Sequence, residues 1–537
     1  MSSECREKYN SLVTEVTEKA QHMKDACIKP VLNGDGTFIM EKAARDANIS
    51  AATKDTIFEG CGPDGAMVHA TASNAIRSFC HQRGRMPSDD LLAAGYTAIQ
   101  NVIGASGKGG SGLILESAAA MNTQDSAQAM MRNRMIALVL PTMLQSITSN
   151  IVGFIPGQFN QSEIFKVWRT AGATFGDLTK GDRIQWDYTG QYSSMDQRHL
   201  TIAGDGAKDG LADEFDFVST TKWGAPVPFK KKRVRIIHDG NPVATDDGNG
   251  YLFGNFKVGA TPVAVSGTVD YDNGVVHPVF SVAPANGINV HVAIDIDIEK
   301  APQLIPSVNH EMDSYVVYPH ESAITATTSL QALWGMRREF NLNVDNMATI
   351  AMKNLLAADK DRKHLKDLYF FMKGSQSWVY TIPETGVNMQ DYYETLRTTL
   401  LSISSALLNA NGVSGLVGIV ADLKTCAILK SMRSPHFDPA PGYVQIPQPH
   451  YVGRLFGMWD LYEDPQRADY SSLCFAKGRN ICEAAYIAGD AIPAIAFKHG
   501  VLSDLKYNNP LWELAYRDLQ QFNGRDYIME LKLIPAE

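Results

Sequence analysis

The sequence predicts an α+β protein, in which helices and antiparallel strands occupy separate blocks of the chain. Three observations support this class. Apolar residues recur at helical spacing near the N-terminus and again after residue 320, two Asn-Gly steps lie between β-forming residues in the region from 200 to 300, and no internal repeat interrupts this order. Because 537 residues exceed what one hydrophobic core usually supports, we expect roughly three or four structural units.

The composition is that of a packed globular protein, since 45% of the residues are hydrophobic and 20% are charged. The formal net charge of −9 argues against a surface that neutralises nucleic-acid phosphates along its whole length, but it allows a local basic face. The longest apolar run, 135–140, is too short to span a bilayer, and no secretory signal opens the chain. We therefore expect a soluble protein made in the cytoplasm, with no membrane partner and with free, buried cysteine thiols.

The N-terminal region is predicted to begin with an amphipathic helix that ends before Pro30. The apolar stripe of this helix consists of Tyr9, Leu12, Val13, Val16 and Met23. The chain then becomes rich in Gly, Ala and Ser up to about residue 130. We expect an arm of short helices and loops without a core of its own, whose helix must find a partner for its apolar stripe.

Between residues 200 and 300 the sequence predicts a small β domain inserted into a larger architecture. The stretches "GNGYLFGNFKVG" and "GTVDYDNGVVHPVF" each contain an Asn-Gly step between β-formers, which favours a tight hairpin turn. The stretch "NVHVAIDIDIE" alternates between apolar and polar residues without a fault. It should therefore form a strand with one buried face and one wet face, and its apolar positions are Val290, Val292, Ile294, Ile296 and Ile298.

The second half of the chain begins with a helical pattern after Pro319. It runs through "SLQALWGMRREF" and then through "NMATIAMKNLLAADKDRKHLKDL", with an Asn-rich joint at 341–346 that kinks or divides the helix. The residues that share an apolar face in the second of these segments are Met347, Ile350, Ala351 and Leu355.

A further helix is predicted at 391–409, and Gly412 is placed to end it. Its inward residues should be Leu396, Leu400, Ile403 and Leu407. After it, "GLVGIVAD" reads as a buried strand, and "AIPAIAF" and "GRDYIMELKLIP" as later strands.

Two stretches resemble ligand-binding loops without completing the pattern. In "GASGKGGSG", at 104–112, Gly109 stands where a phosphate-binding loop requires Ser or Thr, so a flexible joint is the better interpretation. The stretch "DGAKDGLADEFD", from residue 205, partly copies a calcium loop. However, Ala207 occupies a ligand position and Asp216 lacks the reach of the usual Glu, so we interpret it as a solvated acidic turn.

Two further groups contain chemically capable atoms. Asp295 and Asp297 share one face of a predicted strand and could serve as paired carboxylates, although acidic residues on a solvent side need no such role. A second group has metal-capable atoms but lacks the spacing of a zinc site. Its members are Cys61, His69, Cys80 and His81.

Single histidines such as His450 and His499 have no recognisable partner arrangement. The sequence contains no evident constellation of nucleophile, base and orienting group. We therefore predict no catalytic, cofactor-binding or metal site, and a protein that is not an enzyme.

The stretch "FKKKRVRII", residues 229–237, places five cations between Lys230 and Ile236. Such a strand could contact nucleic acid or an acidic neighbouring subunit. It could equally be an edge strand that its charges protect against aggregation. Charge reversal at Lys231 and Arg233, followed by an assembly assay, tests the contact with a neighbouring subunit.

The succession of elements after residue 320 carries a resemblance to a known family. A strand with a Gly leads to a Tyr-x-Asp-Pro turn, then to a strand ending in Lys-Gly, and then to an apolar segment containing Tyr and Pro. The matching residues are Phe456, Gly457, Tyr462, Asp464, Pro465, Phe475, Lys477, Gly478, Tyr486 and Pro493. This succession resembles the major capsid proteins of tailed bacteriophages, particularly the larger T-even-type members.

The resemblance is clearest over 320–537 and is absent from the β insert and the first hundred residues. Two departures stand out: Ala476 replaces part of an expected small–aromatic pair, and "IAGDAIP" is longer and more acidic than the family's form.

The resemblance implies the fold of that family, with an N-terminal arm, an extended loop, a peripheral domain with a spine helix, and an axial domain. The two sides of the extended loop would be "WDYTGQYSSMDQRHL" and "SVNHEMDSYVVYPHE", and the closing strand of the peripheral domain would lie at 526–534. The implied regions are the arm at 1–134, the start of the peripheral domain and extended loop at 135–200, the inserted β domain at 201–300, the returning loop and spine helix at 301–374, the axial domain at 375–497 and the closing peripheral segment at 498–537.

The resemblance also implies a function. The chain would be a virion structural protein that self-assembles into hexamers and pentamers of an icosahedral shell around double-stranded DNA. Portal and scaffolding proteins would be its partners during assembly, and decoration proteins are further candidates. Two alternatives stay open: an encapsulin-like compartment, and a cytoplasmic oligomeric enzyme that uses the Gly-rich loop or the acidic strand.

One processing site is also suggested. "GLILES" places Ile114 two residues before Glu116, which resembles the sites cleaved by prohead proteases of T-even-type phages. Ordinary apolar packing explains the same residues, and an unprocessed chain is the preferred interpretation.

Overall fold

The structure is a computed structural model that describes residues 3–104, 136–157, 160–184, 191–203, 214–285, 288–339, 344–381, 389–496 and 506–535. The chain forms two compact units. The first unit comprises Met1–Lys166 and Asp313–Glu537, and the second comprises Val167–Met312. Helices and sheets are both present in separate blocks, so the predicted α+β class is confirmed.

The helices are described first, because they carry most of the N-terminal region. They are α1 (Ser3–Cys27), α2 (Lys42–Ala52), α3 (Gly65–Arg83), α4 (Asp89–Gly104), α5 (Ser219–Trp223), α6 (Leu330–Glu339), α7 (Val344–Phe371), α8 (Met389–Asn411) and α9 (Leu423–Lys430). Residues 136–145 are also helical.

The strands of the first half of the chain are β1 (Gly153–Phe154), β2 (Ser162–Ala171), β3 (Asp196–Leu200), β4 (Ile202–Ala203), β5 (Phe215–Val218), β6 (Arg235–His238), β7 (Asn241–Asp246), β8 (Tyr251–Val258), β9 (Thr261–Asp270), β10 (Val275–Phe280) and β11 (Val290–Asp295). Those of the second half are β12 (Val308–Val317), β13 (His320–Ser329), β14 (Ser375–Val379), β15 (Gly418–Asp422), β16 (Phe437–Pro439), β17 (His450–Leu455), β18 (Trp459–Asp464), β19 (Ser471–Phe475), β20 (Tyr486–Ala496), β21 (Lys506–Leu519) and β22 (Ile528–Ile534).

The first unit contains a seven-stranded sheet in the order β14-β22-β19-β15-β18-β17-β16. Strand β15 lies at its centre, pairs parallel with β18 and antiparallel with β19, and is buried along its whole length. Burial on both faces explains its unbroken apolar sequence and confirms the strand predicted from "GLVGIVAD".

Helix α8 packs against this sheet with the face that its 3.6-residue period predicts. Its inward residues are no more than 1% exposed, and they are Leu396, Leu400, Ile403 and Leu407. Gly412 follows the helix with a φ of 67°, and its N–H donates to the carbonyl of Leu408 at 2.8 Å. A left-handed residue suits glycine, so the predicted end of the helix is confirmed.

The first unit also contains a four-stranded sheet in the order β1-β20-β21-β13. Residues 320–329 are a strand of this sheet, so the prediction that the chain turns helical directly after Pro319 is wrong. The ten-residue alignment of β13 with β21 outweighs the helical spacing of a short segment. The helical pattern divides into the separate helices α6 and α7, but residues 344–346 of the predicted Asn-rich joint form the start of α7, and residues 340–343 are not among those described.

Helix α7 presents two apolar stripes on different sides. One stripe faces the four-stranded sheet and the rest of the core, and its buried members are Met352, Leu356, Leu365 and Leu368. The stripe that the sequence singled out points to solvent, since Met347 is 56% and Leu355 is 45% exposed. The helical repeat of apolar residues therefore predicted where the helix lies, but not which of its two apolar stripes is buried against the rest of the chain.

The N-terminal helices have no core of their own, as predicted, but they share the core of the first unit and so do not form a separate arm. Val16 and Met23 of α1 are buried, and helix α1 packs along α4. Leu91 and Ala98 of α4 are likewise buried, and these residues share one continuous core with Phe475 of β19. The apolar stripe of α1 thus finds its partner within the same chain.

The second unit is built on a nine-stranded sheet in the order β3-β11-β6-β7-β8-β9-β10-β5-β4. Both predicted hairpins are confirmed, because β7 pairs with β8 and β9 pairs with β10. Strand β11 has the predicted alternation, and Val290, Val292 and Ile294 are buried. The compact unit, Val167–Met312, is wider than the range 201–300 expected for the insert because β3 joins its sheet.

The basic stretch is not the edge strand that the sequence suggested. Strand β6 lies between β11 and β7 in the interior of the sheet. Only Arg235 of the five cations belongs to the strand, while the lysines lie in the turn before it. Lys232 in this turn has a φ of 63°, and its N–H donates to the carboxylate of the buried Asp246 at 2.6 Å.

Two assignments that followed from the resemblance need correction. Strand β12 pairs with β2, whereas the described part of the other predicted side, residues 191–200, contains β3, which pairs with β11. The terminal strand β22 lies between β14 and β19 in the seven-stranded sheet, while β20 joins the four-stranded sheet. The terminal strand therefore belongs with the strands expected of the axial domain, and β20 does not.

Candidate functional site

A cluster of buried charged and polar side chains lies where helix α7 packs on β20 and β21. It borders a cavity of about 60 Å³, which has room for one or a few water molecules. We call it the spine cluster, and its members are Ser146, Thr148, Lys353, Lys360, Asp361, His364, Asp490, Glu513 and Arg517. Perturbed ionisable groups beside a cavity are the usual mark of a functional site.

One part of the spine cluster is a network of ion pairs. The Nζ atom of Lys360 lies 2.5 Å from Oδ1 of Asp490 and 3.6 Å from Oε2 of Glu513. Arg517 forms a second ion pair with Glu513. The Asp490 side chain is 12% exposed and that of Glu513 only 4%. Each charge is thus compensated in a poorly solvated place, where the loss of one partner is costly.

The other part connects α7 to residues 146–148. The carboxylate of Asp361 accepts hydrogen bonds from Ser146 Oγ at 2.5 Å and from Thr148 Oγ1 at 2.9 Å, and burial raises its pKa. The Nδ1 atom of His364 lies 3.1 Å from Thr148 Oγ1. Burial lowers the pKa of His364 well below its usual value, so the imidazole is neutral at pH 7.

This geometry does not make a nucleophile. Ser146 contacts a carboxylate and Thr148, and the imidazole of His364 contacts Thr148 instead of Ser146. A serine nucleophile requires its hydroxyl to face a base that a third group orients. The contacts instead fasten helix α7 to residues 146–148.

Lys353 is the member of the cluster with the most unfavourable surroundings. It is 7% exposed, and among the residues that the structure describes no carboxylate lies within ion-pair distance of it. Burial lowers its pKa from 10.5 to about 8. Its ammonium group therefore carries an uncompensated desolvation cost at neutral pH.

Replacing Lys353 by methionine is expected to raise the free energy of unfolding by about 3 kcal/mol at pH 7. The folded-state pKa of about 8 lies below that of the unfolded chain, so the cost of protonation is fully present below pH 8. It disappears as the pH rises towards the unfolded-state value of about 10.4. Urea denaturation of wild type and Lys353→Met across this range should show a gain that shrinks with rising pH.

Lys363→Met is the matched control, because the Lys363 side chain is 54% exposed and pairs with Asp367 on the same helix. Its effect should stay within about 0.5 kcal/mol at every pH. An equal, pH-independent gain in both variants would show that Lys353 is not strained by burial.

The sequence analysis missed the spine cluster, although a signal for it exists. Lys353, Lys360, Asp361 and His364 recur at i, i+7, i+8 and i+11, and the stripe that they form runs beside buried Leu356. Charged residues on a buried stripe indicate a polar network in the core. The partners on β20 and β21 lie about 130 residues away, and only the fold brings them together.

The residues weighed as metal ligands are accounted for by packing. His69 is buried, with Nδ1 3.0 Å from Thr53 Oγ1 and Nε2 2.8 Å from the carbonyl of Ala26. Cys61 is buried and Cys80 is partly buried, and among the described residues neither is in a disulfide. Within the described ranges no group of three or more His, Cys, Asp and Glu side chains could hold a metal ion.

The remaining candidates have equally ordinary surroundings. Asp295 lies 3.9 Å from Arg233, and the carboxylate of Asp297 accepts from the N–H of Glu299 at 3.1 Å. The ring of His450 stacks on Tyr443 beside the buried Glu463.

Several predicted features fall outside the described residues. These are the Gly-rich loop after Gly104, the acidic turn up to residue 213, the site around Glu116 and His499. The described residues before that site belong to the core of the first unit, so removing them would expose side chains that they cover, such as Leu140, which packs against Gly95, and Tyr462, which contacts Arg83. This favours the unprocessed chain.

Apolar and ribbon-like surfaces remain exposed in the single chain. Strands β2 and β12 form a two-stranded sheet, and most side chains of β12 are exposed. Large exposed apolar side chains on or near β12 are Ile305, Val308, Val316 and Tyr318. Those on α6 and α7 are Trp334, Met336, Met347, Leu355 and Phe370. Among the described helices, none is long and apolar enough to cross a membrane.

Comparison with known proteins gives a family match for the N-terminal region. A family model described as a domain of unknown function (DUF8615) matches residues 4–146, which include helices α1–α4. Protein IncB of Escherichia coli is 28% identical over 173 residues, which is 31% of this chain and 83% of that protein.

Solved structures that resemble the chain include capsids. The match to the capsid of Myoviridae phage XM1 covers 60% of this chain and 93% of the XM1 chain, with 8% sequence identity and a TM-score of 0.30. The match to the capsid of jumbo bacteriophage PhiKZ covers 73% of this chain and 92% of the PhiKZ chain, with 8% sequence identity and a TM-score of 0.34. The match to the capsid of a native GTA particle covers 43% of this chain and 77% of the GTA chain, with 11% sequence identity and a TM-score of 0.28.

Proposed function

We propose that this chain is a capsid-shell protein of a tailed bacteriophage, of the T-even-type branch, and not an enzyme. In this proposal copies associate into hexamers and pentamers of a virion shell that encloses double-stranded DNA. Portal and scaffolding proteins act during assembly, and decoration proteins are candidate partners on the finished shell. The motif resemblance over 320–537 supports this class of protein.

The observation that carries the proposal is the two-stranded ribbon of β2 and β12, in which most side chains of β12 are exposed while most of those of β2 are buried or half-buried. Both strands are ten residues long, and the sheet that they form has only two members. A two-stranded sheet is marginal alone, and an open strand edge invites pairing or packing with another chain. The exposed apolar side chains on and near β12 would be covered in such a contact.

We expect a second copy of the same chain to cover the ribbon, because a shell is built from many identical chains. A surface patch that meets another patch on an identical chain generates rings when the rotation closes. Six- or five-membered rings that use the ribbon would then tile a shell. The exposed stripes on α6 and α7 offer further area for contacts between copies.

The proposal is tested by size-exclusion chromatography and negative-stain microscopy of the purified chain. Wild type is expected to give rings or hollow shells. Val308→Asp, on the ribbon, should leave mostly single chains, because a carboxylate on each copy would be buried without a partner. Val282→Asp is the matched control, since Val282 is 47% and Val308 is 48% exposed.

Both variants should keep the circular dichroism and melting temperature of the single chain, since both positions are exposed. Assembly of Val308→Asp at the wild-type level would exclude the ribbon as the contact. A wild-type chain that stays monomeric at high concentration and turns over a metabolite would contradict the whole proposal and favour the enzyme alternative.

A further inference from the structure

The outward face of the nine-stranded sheet in the second unit brings basic, aromatic and hydroxyl side chains into one row. Strand register aligns Arg198 with Ala293, Ala293 with Arg235, Arg235 with Thr245, Thr245 with Phe253, and Phe253 with Ser266. The side chains that are exposed in this row are Arg198, Arg235, Thr245, Phe253 and Ser266. We call this surface the outer sheet face.

Spacing follows from the sheet itself. Neighbouring strands lie about 4.8 Å apart, and one strand lies between Arg198 and Arg235 and one between Arg235 and Phe253, so each pair is separated by two strand spacings, or about 10 Å. Neither Arg198 nor Arg235 forms an ion pair with a carboxylate among the residues that the structure describes. Two uncompensated guanidinium groups and an aromatic ring therefore stand in a line across the sheet.

The aromatic part of the outer sheet face is unusually exposed. Tyr251 is 64% and Phe253 is 58% exposed, and both are on the outward side of β8. Their Cα atoms are two residues apart, or about 7 Å along the strand. Phe253 and Asn255 border an open depression, together with Thr245 and Ala264.

Hydroxyl and amide groups surround these rings. Thr268 is opposite Tyr251 and Ser266 is opposite Phe253 on the neighbouring strand β9. Both are exposed, as is Asn255 two residues further along β8. The rings are thus framed by neutral hydrogen-bonding groups.

Basic charge is concentrated at one end of this face. The turn before β6 contains Lys230, Lys231, Lys232 and Arg233, and the buried Asp246 holds it through the backbone N–H groups of Lys232 and Val234. The alkyl chain of Lys232 lies over Gly248, three residues before Tyr251.

Carboxylates share the outer sheet face with these cations. Asp196 of β3 is paired in register with Asp295 of β11, one step along the strands from the arginine row. Asp295 lies 3.9 Å from Arg233, which compensates it in part. Register and exposure also place Asp216, which pairs with His277, and Asp270 on this side of the sheet, together with Lys257 of β8. Seven cations, at positions 198, 230–233, 235 and 257, therefore face four carboxylates of strands β3, β5, β9 and β11, and the balance is positive although the chain as a whole is at −9.

We propose that the outer sheet face binds an anionic polysaccharide. A sugar ring presents an apolar C–H face that stacks on an aromatic ring, and its equatorial hydroxyls reach hydrogen-bonding groups at the rim. Tyr251 and Phe253 supply the stacking surface, and the framing hydroxyl and amide groups supply the rim. Arg198, Arg235 and the lysine turn supply the complementary charge for carboxylates spaced along the polymer.

The hydroxyl frame favours a polysaccharide over single-stranded nucleic acid. Binding of single strands needs aromatic platforms and cations, which are both present, but it has no need for neutral hydroxyl groups around each ring. The proposal is independent of shell assembly, because each element of it lies within the second unit.

The test uses the full-length chain and measures binding of hyaluronate oligosaccharides at low ionic strength, with neutral dextran and oligo-dT as comparison probes. Wild type should bind hyaluronate more tightly than either probe. Phe253→Ser and Tyr251→Ser should each weaken hyaluronate binding about tenfold. The double variant Arg198→Gln/Arg235→Gln should weaken it to a similar degree and reduce its dependence on salt.

Two controls lie in the first unit. Phe370→Ser removes a ring that is 80% exposed, and Lys42→Gln/Lys54→Gln removes two exposed cations. Both controls should bind hyaluronate as wild type does. Failure of wild type to bind hyaluronate, or unchanged binding by the face variants, would overturn the proposal. Tighter binding of oligo-dT that is lost in the same variants would assign the face to nucleic acid and also overturn it.

Discussion

Replacing Arg83 by alanine is expected to lower the free energy of unfolding of the first unit by about 3 kcal/mol, from the loss of a charged hydrogen bond and of cation–π contacts. Arg83 is 6% exposed, and its guanidinium donates to Tyr462 Oη at 2.6 Å. It also lies 4.0 Å from the ring centroid of Tyr451. These contacts connect the end of helix α3 to the seven-stranded sheet.

Urea denaturation of the unassembled chain measures this loss. Arg433→Ala is the control, because Arg433 is exposed, and its effect should stay within about 0.5 kcal/mol. If Arg83→Ala and Arg433→Ala had equal urea midpoints of unfolding, the stability of the N-terminal helices would not depend on the contacts of Arg83. An Arg83→Lys variant should recover little of the loss, since an ammonium group lacks the planar face that stacks on tyrosine.

Replacing Lys360 by methionine is expected to lower the free energy of unfolding by about 3–5 kcal/mol. The change leaves Asp490 and Glu513, both poorly exposed, with Arg517 as the nearby cation. A buried carboxylate without its partner retains the cost of desolvation and loses the attraction that offset it. Because the cluster links α7 to β20 and β21, the loss should appear in the main unfolding transition of the first unit.

The companion variant Lys360→Met/Asp490→Asn tests the cause. Neutralising the carboxylate should recover a substantial part of the stability if an unpaired charge is the reason for the loss. No recovery would point to packing of the lysine stem instead. Lys363→Met, three residues along the same helix and paired at the surface, should be nearly neutral.

Helices and strands whose apolar residues repeat on one side only were predictable from the sequence, because that side is the buried one. Helix α8 turns Leu396 and Leu400 inward because its apolar residues form a single stripe. Strand β11 buries Val292 and Ile294 because its alternating sequence gives the strand only one apolar face. The Asn-Gly steps also located the turns of two hairpins, because Gly250 and Gly274 adopt the positive φ that these four-residue turns require.

Elements whose environment depends on distant partners were not predictable in the same way. Helix α7 has two apolar stripes, and its packing on the four-stranded sheet decides which one is covered. The helical pattern of 329–340 was predicted to begin directly after Pro319, yet residues 320–329 pair with β21 nearly two hundred residues later. The ribbon partner of β12 was likewise misassigned, because a two-sided polar strand specifies its register weakly.

The two candidate sites illustrate the same division. The basic stretch before β6 was evident as a charge run, but Arg198 and Phe253 carry no local signal that links them to it. Register across β3, β11, β6, β7 and β8 places them in one row. The spine cluster similarly combines residues from α7, β20, β21 and the segment 146–148.

The amino-acid sequence by itself determined the class of the fold, the positions of its strongly periodic helices and strands, and the hairpin turns, because these depend on interactions among neighbours in the chain. The tertiary structure alone decided that the N-terminal helices join the core, which stripe of α7 faces solvent, and which charges meet behind it. The physical reason is that burial and ion pairing depend on which surfaces meet in space, and residues hundreds of positions apart supply those surfaces.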